Sequence, residues 1–342
     1  MQDKARFILS KSKVLEQLNQ VSRVADAVSY SLKTNYEVGK VLEETADCLF
    51  SVHSIEALNL LKDTSYVWFF CQAIDDAELD YLFNRGKVGF VVDNEVDLNK
   101  LLKFCEKHNK KIKLLLRMRL KEHTVHTGKH FVFGFYSFKV KELVEQLKAN
   151  KNIDKLGVHV HRKTQNVSEW SLKEELSSAL GECVDYIDLL NIGGGIPHIY
   201  KNYRAGVLEH IFEKIKELKL WANEHKIDVI VEPGRFIAAP AVKLEAEIKT
   251  IYDANLVINC SVYNAAMDTF IANIRLLVEG ELEKGTAYTI KGCTPDSLDI
   301  FRYRVFLKDP KVGDKIVFLN AGAYNFSTDF CKLPKIETKV VP

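Results

Sequence analysis

Short apolar segments recur along the first part of the chain, and a segment with helical periodicity follows each of them. The apolar segments are continuous rather than alternating in polarity, which is typical of parallel strands buried on both faces. Eight of them can be recognised: VSYSLK (28–33), CLFSV (48–52), YVWFF (66–70), VGFVV (88–92), IKLLLRMRL (112–120), LGVHVH (156–161), YIDLLNIGG (186–194) and DVIVEPG (228–234). Amphipathic stretches such as SKVLEQLNQVSRVAD separate them. The pattern predicts an α/β fold with a (β/α)8 TIM barrel over residues 10–236.

The pattern changes after Arg235, where strand-like segments follow one another with turns and without a long helix between them. These segments are AVKLEAEIKTIYD, INCSVYN, IRLLVEG, AYTIKG, DIFRYRVFL and DKIVFLNAG. Such a series is typical of an all-β unit. We therefore expect a C-terminal β domain over residues 237–342, to which residues 1–9 can be added.

Charge and composition exclude several classes of protein. The 342 residues are 47% hydrophobic and 27% charged, with a formal net charge of +2 and no basic block that would suggest nucleic-acid binding. The first residues lack the apolar core of a signal peptide, and no apolar run reaches the length of a membrane span. The seven cysteines are scattered without CxxC spacing, which favours reduced thiols in a cytoplasmic protein over disulfides or a metal site.

Two loops at the carboxyl ends of the seventh and eighth apolar segments have the composition of a phosphate site. Gly193, Gly194 and Gly195 follow the seventh segment, and Arg235 follows the eighth. Phosphate commonly binds after these two strands of a (β/α)8 barrel, and glycines allow the backbone to approach an anion. The three glycines alone could form only a tight turn, but Arg235 at the next loop favours a phosphate site.

Lys33 and His161 end two other predicted strands, so we expect both at the same mouth of the barrel. A partly desolvated lysine loses its proton readily and can form a Schiff base with an aldehyde. Together with a phosphate site, this chemistry suggests pyridoxal phosphate. His161 could stack on the pyridine ring, or it could be a structural histidine. His159 shares the same strand face but lies deeper, so we interpret it as an interior residue.

Glu232 lies between the end of the eighth strand and Arg235. A carboxylate beside the pyridine nitrogen of pyridoxal phosphate favours protonation of that nitrogen, because opposite charges attract. A protonated ring accepts electrons strongly, and decarboxylation requires a strong electron sink. Glu232 therefore favours a decarboxylase.

Six motifs resemble, in order and spacing, those of the fold-type III pyridoxal-phosphate decarboxylases, which include the ornithine, lysine and diaminopimelate decarboxylases. The motifs are YSLKTN, GVHVHRKT, LLNIGGGIP, VEPGR, GCTPDSLD and LNAGAYNFSTDF, and they cover nearly the whole chain. The resemblance implies an alanine-racemase-like barrel followed by a β domain. It also implies a homodimer in which the loop matching GCTPDSLD enters the partner's active site.

The resemblance assigns a role to each matching residue. Lys33 would bind the cofactor, His161 would stack on it, and Glu232 would pair with its ring nitrogen. The phosphate would be held by Gly193, Gly194, Gly195, Thr164, Arg235 and Tyr324. Asp296 would meet the distal amine of the substrate, and DSLD points to the ornithine and lysine branch rather than to the diaminopimelate pattern.

The chain departs from the family pattern where the substrate is recognised. The ornithine branch usually reads GPTCDSLD, whereas Cys293 stands two residues earlier and Pro295 occupies the position before Asp296. Because residues two apart in extended chain are separated by about 6–7 Å, we expect Cys293 to lie near the site without serving as the obligatory acid. An aspartate after the second strand appears as Ser51, the second substrate aspartate as Asn264, and a lysine as Val132.

We therefore expect a cytoplasmic, homodimeric decarboxylase that converts a basic amino acid, with L-ornithine as the first substrate and putrescine as its product. Lysine, diaminopimelate, carboxynorspermidine and a siderophore precursor remain alternative substrates. A non-catalytic homologue that binds pyridoxal phosphate and regulates an active enzyme is a second alternative, which the displaced cysteine favours and the intact cofactor residues oppose. The predicted β domain argues against a small single-barrel protein of pyridoxal-phosphate homeostasis.

Overall fold

The structure, a computed structural model, describes residues 4–86, 88–120, 133–203 and 206–342. Strand β1 (Arg6–Ser10) belongs to a second sheet, and the next eight strands close into a parallel barrel in chain order. The barrel strands are β2 Ala27–Ser31, β3 Leu49–Val52, β4 Val67–Phe70, β5 Val88–Val92, β6 Ile112–Arg117, β7 Ile153–His159, β8 Leu189–Asn191 and β9 Asp228–Val231. The predicted (β/α)8 barrel is confirmed.

Helices precede, connect and follow the barrel strands, and most of them bury one apolar face. They are α1 Lys11–Ser22, α2 Tyr36–Thr45, α3 Ile55–Leu58, α4 Asp76–Arg85, α5 Glu95–Lys107, α6 Ser137–Leu147, α7 Leu172–Leu180, α8 Leu208–Glu224 and α9 Arg235–Ala241. Short polar residues start several of them; the Ser10 hydroxyl, for example, accepts a hydrogen bond from the Lys13 amide at the start of α1. Within the described ranges, no helix combines the length and the apolar character needed to cross a membrane.

The second sheet follows the barrel and recruits β1. Its later strands are β10 Val242–Tyr252, β11 Asn255–Ile258, β12 Leu277–Val278, β13 Ala287–Lys291, β14 Ile300–Phe306, β15 Lys315–Leu319 and β16 Glu337–Val341. Strand β1 pairs antiparallel with β10 and parallel with β16. Residues 6–10 therefore lie in the C-terminal sheet, while the domain boundary at residue 236, which falls inside α9, stays a prediction.

One segment expected as a strand is helical. Strand β11 ends at Ile258, and the following residues form helix α10 (Val262–Ala265), with helix α11 (Asp268–Ile271) shortly after it. A capping box explains the change, because the Ser261 and Asn264 side chains bind each other's backbone. The strand prediction for INCSVYN was therefore wrong beyond its first residue. The hydrophobic pattern of such a short run does not reveal a capping box that favours a helix over strand pairing.

Alternate residues of the barrel strands point into the barrel. A cluster of five interior side chains fills its middle, namely Trp68, Val91, Leu115, Leu189 and Ile230. Residues two positions further along the same strands share that face and lie nearer the carboxyl end, among them Phe70, Arg117, Asn191 and Glu232. The barrel core therefore supports the side chains at its carboxyl mouth.

Gly157 should be required for this packing, because a Cβ atom there would lie 2.3 Å from the Leu189 carbonyl oxygen and 2.7 Å from Leu115. We expect Gly157→Ala to lower the free energy of unfolding by about 1–3 kcal/mol, the usual cost of overpacking. Chemical denaturation would measure this. Gly206→Ala is the control, because a Cβ at Gly206 meets no atom within 4 Å. Equal stability of the two variants would contradict the expectation.

Candidate active site

Lys33 lies in a 3-10 turn (Leu32–Thr34) directly after β2, at the carboxyl mouth of the barrel. Its Nζ atom is 3.2 Å from Nε2 of His53, whose ring stacks on Phe70 at a centroid distance of 4.6 Å. The Lys33 side chain is partly exposed to solvent, yet protein surrounds its amine on most sides, and this desolvation lowers the pKa of Lys33. Desolvation and the nearby Lys33 charge lower the pKa of His53 to about 3, so the neutral imidazole can accept a hydrogen bond from Lys33.

A cleft of about 260 Å³ adjoins this pair. Its wall includes His53, Phe70, Arg117 and Phe133. The Arg117 guanidinium lies over the Phe133 ring at 5.7 Å. The mouth of the barrel therefore offers an amine beside a partly apolar cavity.

Three side chains, which we name the Glu232 cage, surround the buried Glu232 carboxylate. Ser51 donates to Oε1 at 2.6 Å, Asn191 donates to Oε1 at 2.9 Å, and His159 Nε2 lies 3.2 Å from Oε2. Burial opposes ionisation, but the interactions with His159 and the hydrogen bond from Ser51 outweigh it and lower the pKa of Glu232. Because burial also lowers the pKa of His159, we attribute the ionised carboxylate to hydrogen bonds that it accepts from the neutral imidazole and from Ser51 rather than to a full ion pair.

The glycine loop is held against the end of β7 by the same network. The Gly193 amide donates to Oδ1 of Asn191 at 2.9 Å, and the Gly194 amide donates to Nδ1 of His161 at 3.2 Å. Gly193 has φ +66°, and a Cβ atom there would lie 2.4 Å from the Val160 carbonyl oxygen. Burial lowers the pKa of His161 well below its usual value, so this ring is neutral and its Nδ1 can accept. Two of the three loop amides thus already have protein acceptors.

Arg235 lies beside this loop but is largely committed to protein partners. It donates to Thr164 Oγ1 at 2.8 Å and to the Tyr200 hydroxyl at 3.0 Å, and it forms a two-pronged ion pair with the buried Asp268. The Tyr324 ring lies 5.3 Å from its guanidinium carbon. Counting only partners among the described residues, four of the five guanidinium N–H groups are used in these bonds, which leaves one for an incoming anion.

The GCTPDSLD loop is organised by Asp299, which is buried. One carboxylate oxygen accepts from the Val262 amide at 2.8 Å, and the other accepts from the Thr294 amide and hydroxyl at 3.1 and 2.7 Å. Cys293 is exposed, and its amide donates to the Cys260 carbonyl at 2.9 Å. Partial burial, reinforced by Asp299, raises the pKa of the Cys293 thiol. The backbone around Cys293 is therefore anchored on both sides.

Asp296 presents one occupied and one open carboxylate oxygen. Its Oδ1 accepts from the Tyr263 hydroxyl at 2.9 Å and from the Leu298 amide at 2.8 Å. Across the described part of the chain, no donor reaches its Oδ2. Asp296 could therefore receive a cationic group on this free side.

Asn264 is placed differently, since both ends of its buried amide are used within the C-terminal sheet region. Its Oδ1 accepts from the Ser261 amide and its Nδ2 donates to the Pro334 carbonyl, each at 2.9 Å. Its predicted role in substrate binding stays a prediction. Val132 lies outside the residues that the structure describes.

The predicted residues fall into two groups. The first lies at the carboxyl mouth of the barrel: Lys33, His161, Thr164, Gly193, Gly194, Gly195, Glu232, Arg235 and Tyr324. The second lies in the C-terminal part of the chain: Asn264, Cys293 and Asp296. Among the described residues, no hydrogen bond or ion pair joins the second group to Lys33, His161 or Glu232.

Sequence reasoning did not assign a functional part to His53, His159, Asn191, Asp268 or Asp299. For two of these residues the sequence contains a usable signal. Residues two positions apart on a strand lie on the same face, so a polar residue two positions before a predicted site residue also faces the site. Asn191 precedes Gly193 in this way, and His159 precedes His161. The partners of Arg235 and Thr294 carried no such signal, because only the folded chain brings them together.

The residues at the mouth fit pyridoxal phosphate. The cofactor needs an amine of lowered pKa for its aldehyde, a loop and a cation for its phosphate, and a carboxylate for its ring nitrogen. The mouth has each of these in Lys33, the glycine loop with Arg235, and Glu232. In the described structure, Thr34 Oγ1 and His159 Nδ1 are also buried without hydrogen-bond partners, as expected beside a site built around another group.

Comparisons with known proteins agree with this interpretation. Antizyme inhibitor 2 from Xenopus laevis is 25% identical over 289 residues, which is 73% of this chain and 60% of that protein. Diaminopimelate decarboxylase from Halalkalibacterium halodurans is 24% identical over 292 residues, 76% of this chain and 66% of that enzyme. The chain therefore spans less than two thirds of the length of these relatives.

The solved structures support the fold. Lysine/ornithine decarboxylase from Vibrio vulnificus, complexed with cadaverine, superposes with a TM-score of 0.81 and 20% identity over 98% of this chain and 94% of that chain. The family model of the pyridoxal binding domain of pyridoxal-dependent decarboxylases matches residues 12–239. With the lysine, the glycine loop and the caged glutamate at one mouth, this match shows that the chain belongs to the family of pyridoxal-dependent decarboxylases.

Proposed function

We propose that the protein decarboxylates a basic amino acid, with L-ornithine as the first substrate and putrescine as the product. The observation that carries this proposal is the buried Glu232 carboxylate and the three side chains of its cage, at the mouth that also holds Lys33. When bound, pyridoxal phosphate supplies a conjugated ring that accepts the electron pair left on Cα as carbon dioxide departs. A carboxylate that stays ionised keeps a proton on the ring nitrogen and so strengthens that sink.

Each residue at the mouth would have a separate task. Lys33 would hold the cofactor aldehyde, and its lowered pKa increases the fraction of free amine at neutral pH. Neutral His161 would cover one face of the ring without competing for the proton that Glu232 holds at the nitrogen. The glycine loop, Thr164 and the remaining N–H of Arg235 would bind the phosphate.

The substrate side would be completed by a second subunit. Asp296 has a free carboxylate oxygen, and within the described chain its loop has no hydrogen bond to Lys33, His161 or Glu232. A homodimer in which each loop enters the partner's mouth would place Asp296 against the distal amine of a basic substrate. Lysine and diaminopimelate remain alternative substrates, as do carboxynorspermidine and a siderophore precursor.

A non-catalytic role is the second candidate function. Two observations favour a non-catalytic role. Cys293 lies two residues before the usual position of the family's cysteine, and the chain is similar to antizyme inhibitor 2. The intact Lys33 and the ionised Glu232 favour catalysis, because a protein that only binds a partner has no need of a caged carboxylate. An activity assay separates the two.

The cofactor-loaded protein should release carbon dioxide and the corresponding amine when it is incubated with L-ornithine, L-lysine or diaminopimelate, with ornithine giving the highest kcat/KM. The amine is a diamine for the first two substrates and lysine for diaminopimelate. Both products would be measured for each substrate, and Lys33→Ala serves as the control that cannot hold the aldehyde. Bound cofactor without product from any member of the panel would exclude decarboxylation of these substrates and favour the non-catalytic role.

Glu232→Gln should keep the cofactor on Lys33 and lose about a hundredfold or more in decarboxylation rate, because the amide cannot hold the ring nitrogen protonated. Borohydride reduction and peptide mapping would verify attachment at Lys33, and a single-turnover assay would measure the rate. Glu245→Gln, which removes an ion-paired carboxylate in the C-terminal sheet, is the matched control. Near-normal turnover by a loaded Glu232→Gln protein would refute the role of this carboxylate.

Cys293→Ser should lose less than about threefold in rate, with little aldehyde by-product. The reason is that Asp299 fixes Thr294, and the Cys293 amide is bound to Cys260, so the loop is not free to move the thiol by two residues. Amine and aldehyde would be quantified together. A loss above about tenfold accompanied by aldehyde would show that the thiol delivers the Cα proton.

A further inference from the structure

The opposite end of the barrel, where the parallel strands begin, contains a cavity of about 900 Å³. The carboxyl mouth holds the site described above, so this amino-terminal cavity is a separate feature of the same barrel. Its apolar wall includes Ala27, Leu49, Trp68, Leu189 and Ile230. The volume is within the range of pockets that hold small organic ligands, about 300–1,000 Å³.

In most (β/α)8 barrels, bulky apolar side chains fill the interior layer nearest the amino ends of the strands. Here they do not, and this leaves the cavity. The Trp68 ring lies over Gly89, where a Cβ atom would be 2.6 Å from the ring, and it closes the middle of the barrel. Below this level the interior positions include Ala27 at the start of β2 and Lys113 on β6. A small residue and a solvated lysine leave a space with an aromatic floor.

Among the described residues, the rim of the cavity has more lysines without a carboxylate partner than aspartates without a basic partner. The three aspartates in its lining are each paired with a lysine: Asp26 with Lys219, Asp154 with Lys111, and Asp228 with Lys155. Two further lining lysines, Lys110 and Lys113, have no carboxylate partner in the ranges that the structure describes. Lys113 is the register neighbour of Lys155 on the adjacent strand, so two ammonium groups share one wall.

We propose that this amino-terminal cavity binds a small amphiphilic anion, an aromatic or aliphatic body with a carboxylate or sulfonate group, independently of the cofactor. The apolar body packs on Trp68 and its neighbours, and the anionic group meets Lys113 at the rim. The exposed lysine–aspartate pairs cost little to rearrange around such a ligand, because exposed ion pairs are weak.

The test uses protein whose cofactor has been fixed to Lys33 by borohydride, so that the carboxyl mouth is occupied. Titration with anilinonaphthalene sulfonate, followed by probe fluorescence and by quenching of tryptophan, should show one saturable site that decanoate displaces. Lys113→Ala should weaken binding about fivefold or more, as expected for a lost charged contact, and Ala27→Leu should abolish it by filling the cavity. Lys284→Ala, an exposed lysine of the C-terminal region, is the control for the same change in charge.

Loss of probe binding in Lys113→Ala and Ala27→Leu, with Lys284→Ala unchanged, supports the site. Equal affinity of Lys113→Ala and Lys284→Ala, or no saturable binding, overturns it. Lys113→Arg keeps the charge and should bind as the parent does. Retained cofactor absorbance in each variant shows that it is folded, and if Ala27→Leu fails this check the pair of lysine variants still decides the outcome.

Discussion

The ionised carboxylate of Glu232 is the constraint on which the arrangement of the site depends. A charge inside a barrel is stable only if donors replace the lost water, and here they come from β3, β7 and β8. Ser51 is itself 2.7 Å from Ser29, and Asn191 also binds the glycine loop. These hydrogen bonds therefore fix the position of the Glu232 carboxylate relative to the glycine loop.

Strand alternation transmits this arrangement through the barrel. The side chains that fill the middle stand two positions before the polar side chains of the mouth, as Ile230 does before Glu232 and Leu189 before Asn191. The same alternation applies toward the amino ends of the strands. Lys113 lies two positions before Leu115 on the same strand face and lines the amino-terminal cavity. One packed layer thus separates two chemically different ends.

The sequence was sufficient to predict the barrel and the position of Lys33 and Glu232 at its carboxyl mouth, because continuous apolar runs mark buried parallel strands and these two residues follow the ends of such runs. It was not sufficient for the Arg235–Asp268 pair, since Asp268 lies in a four-residue helix 33 positions later and only tertiary structure brings the two together. Asp299 could not be predicted for the same reason, because one of its hydrogen-bond donors is a backbone amide 37 positions away in the sequence. Local patterns cannot predict such partners.

Ser51 shows how a departure from the family pattern can preserve the chemistry. The resemblance places an aspartate at this position, and a second carboxylate beside Glu232 would raise its pKa by repulsion. A serine hydroxyl instead donates a hydrogen bond of 2.6 Å, and His159 adds a donor on the other oxygen. The chain therefore obtains an ionised Glu232 from neutral donors alone. Such a site depends on the geometry of its hydrogen bonds rather than on a balance of opposing charges.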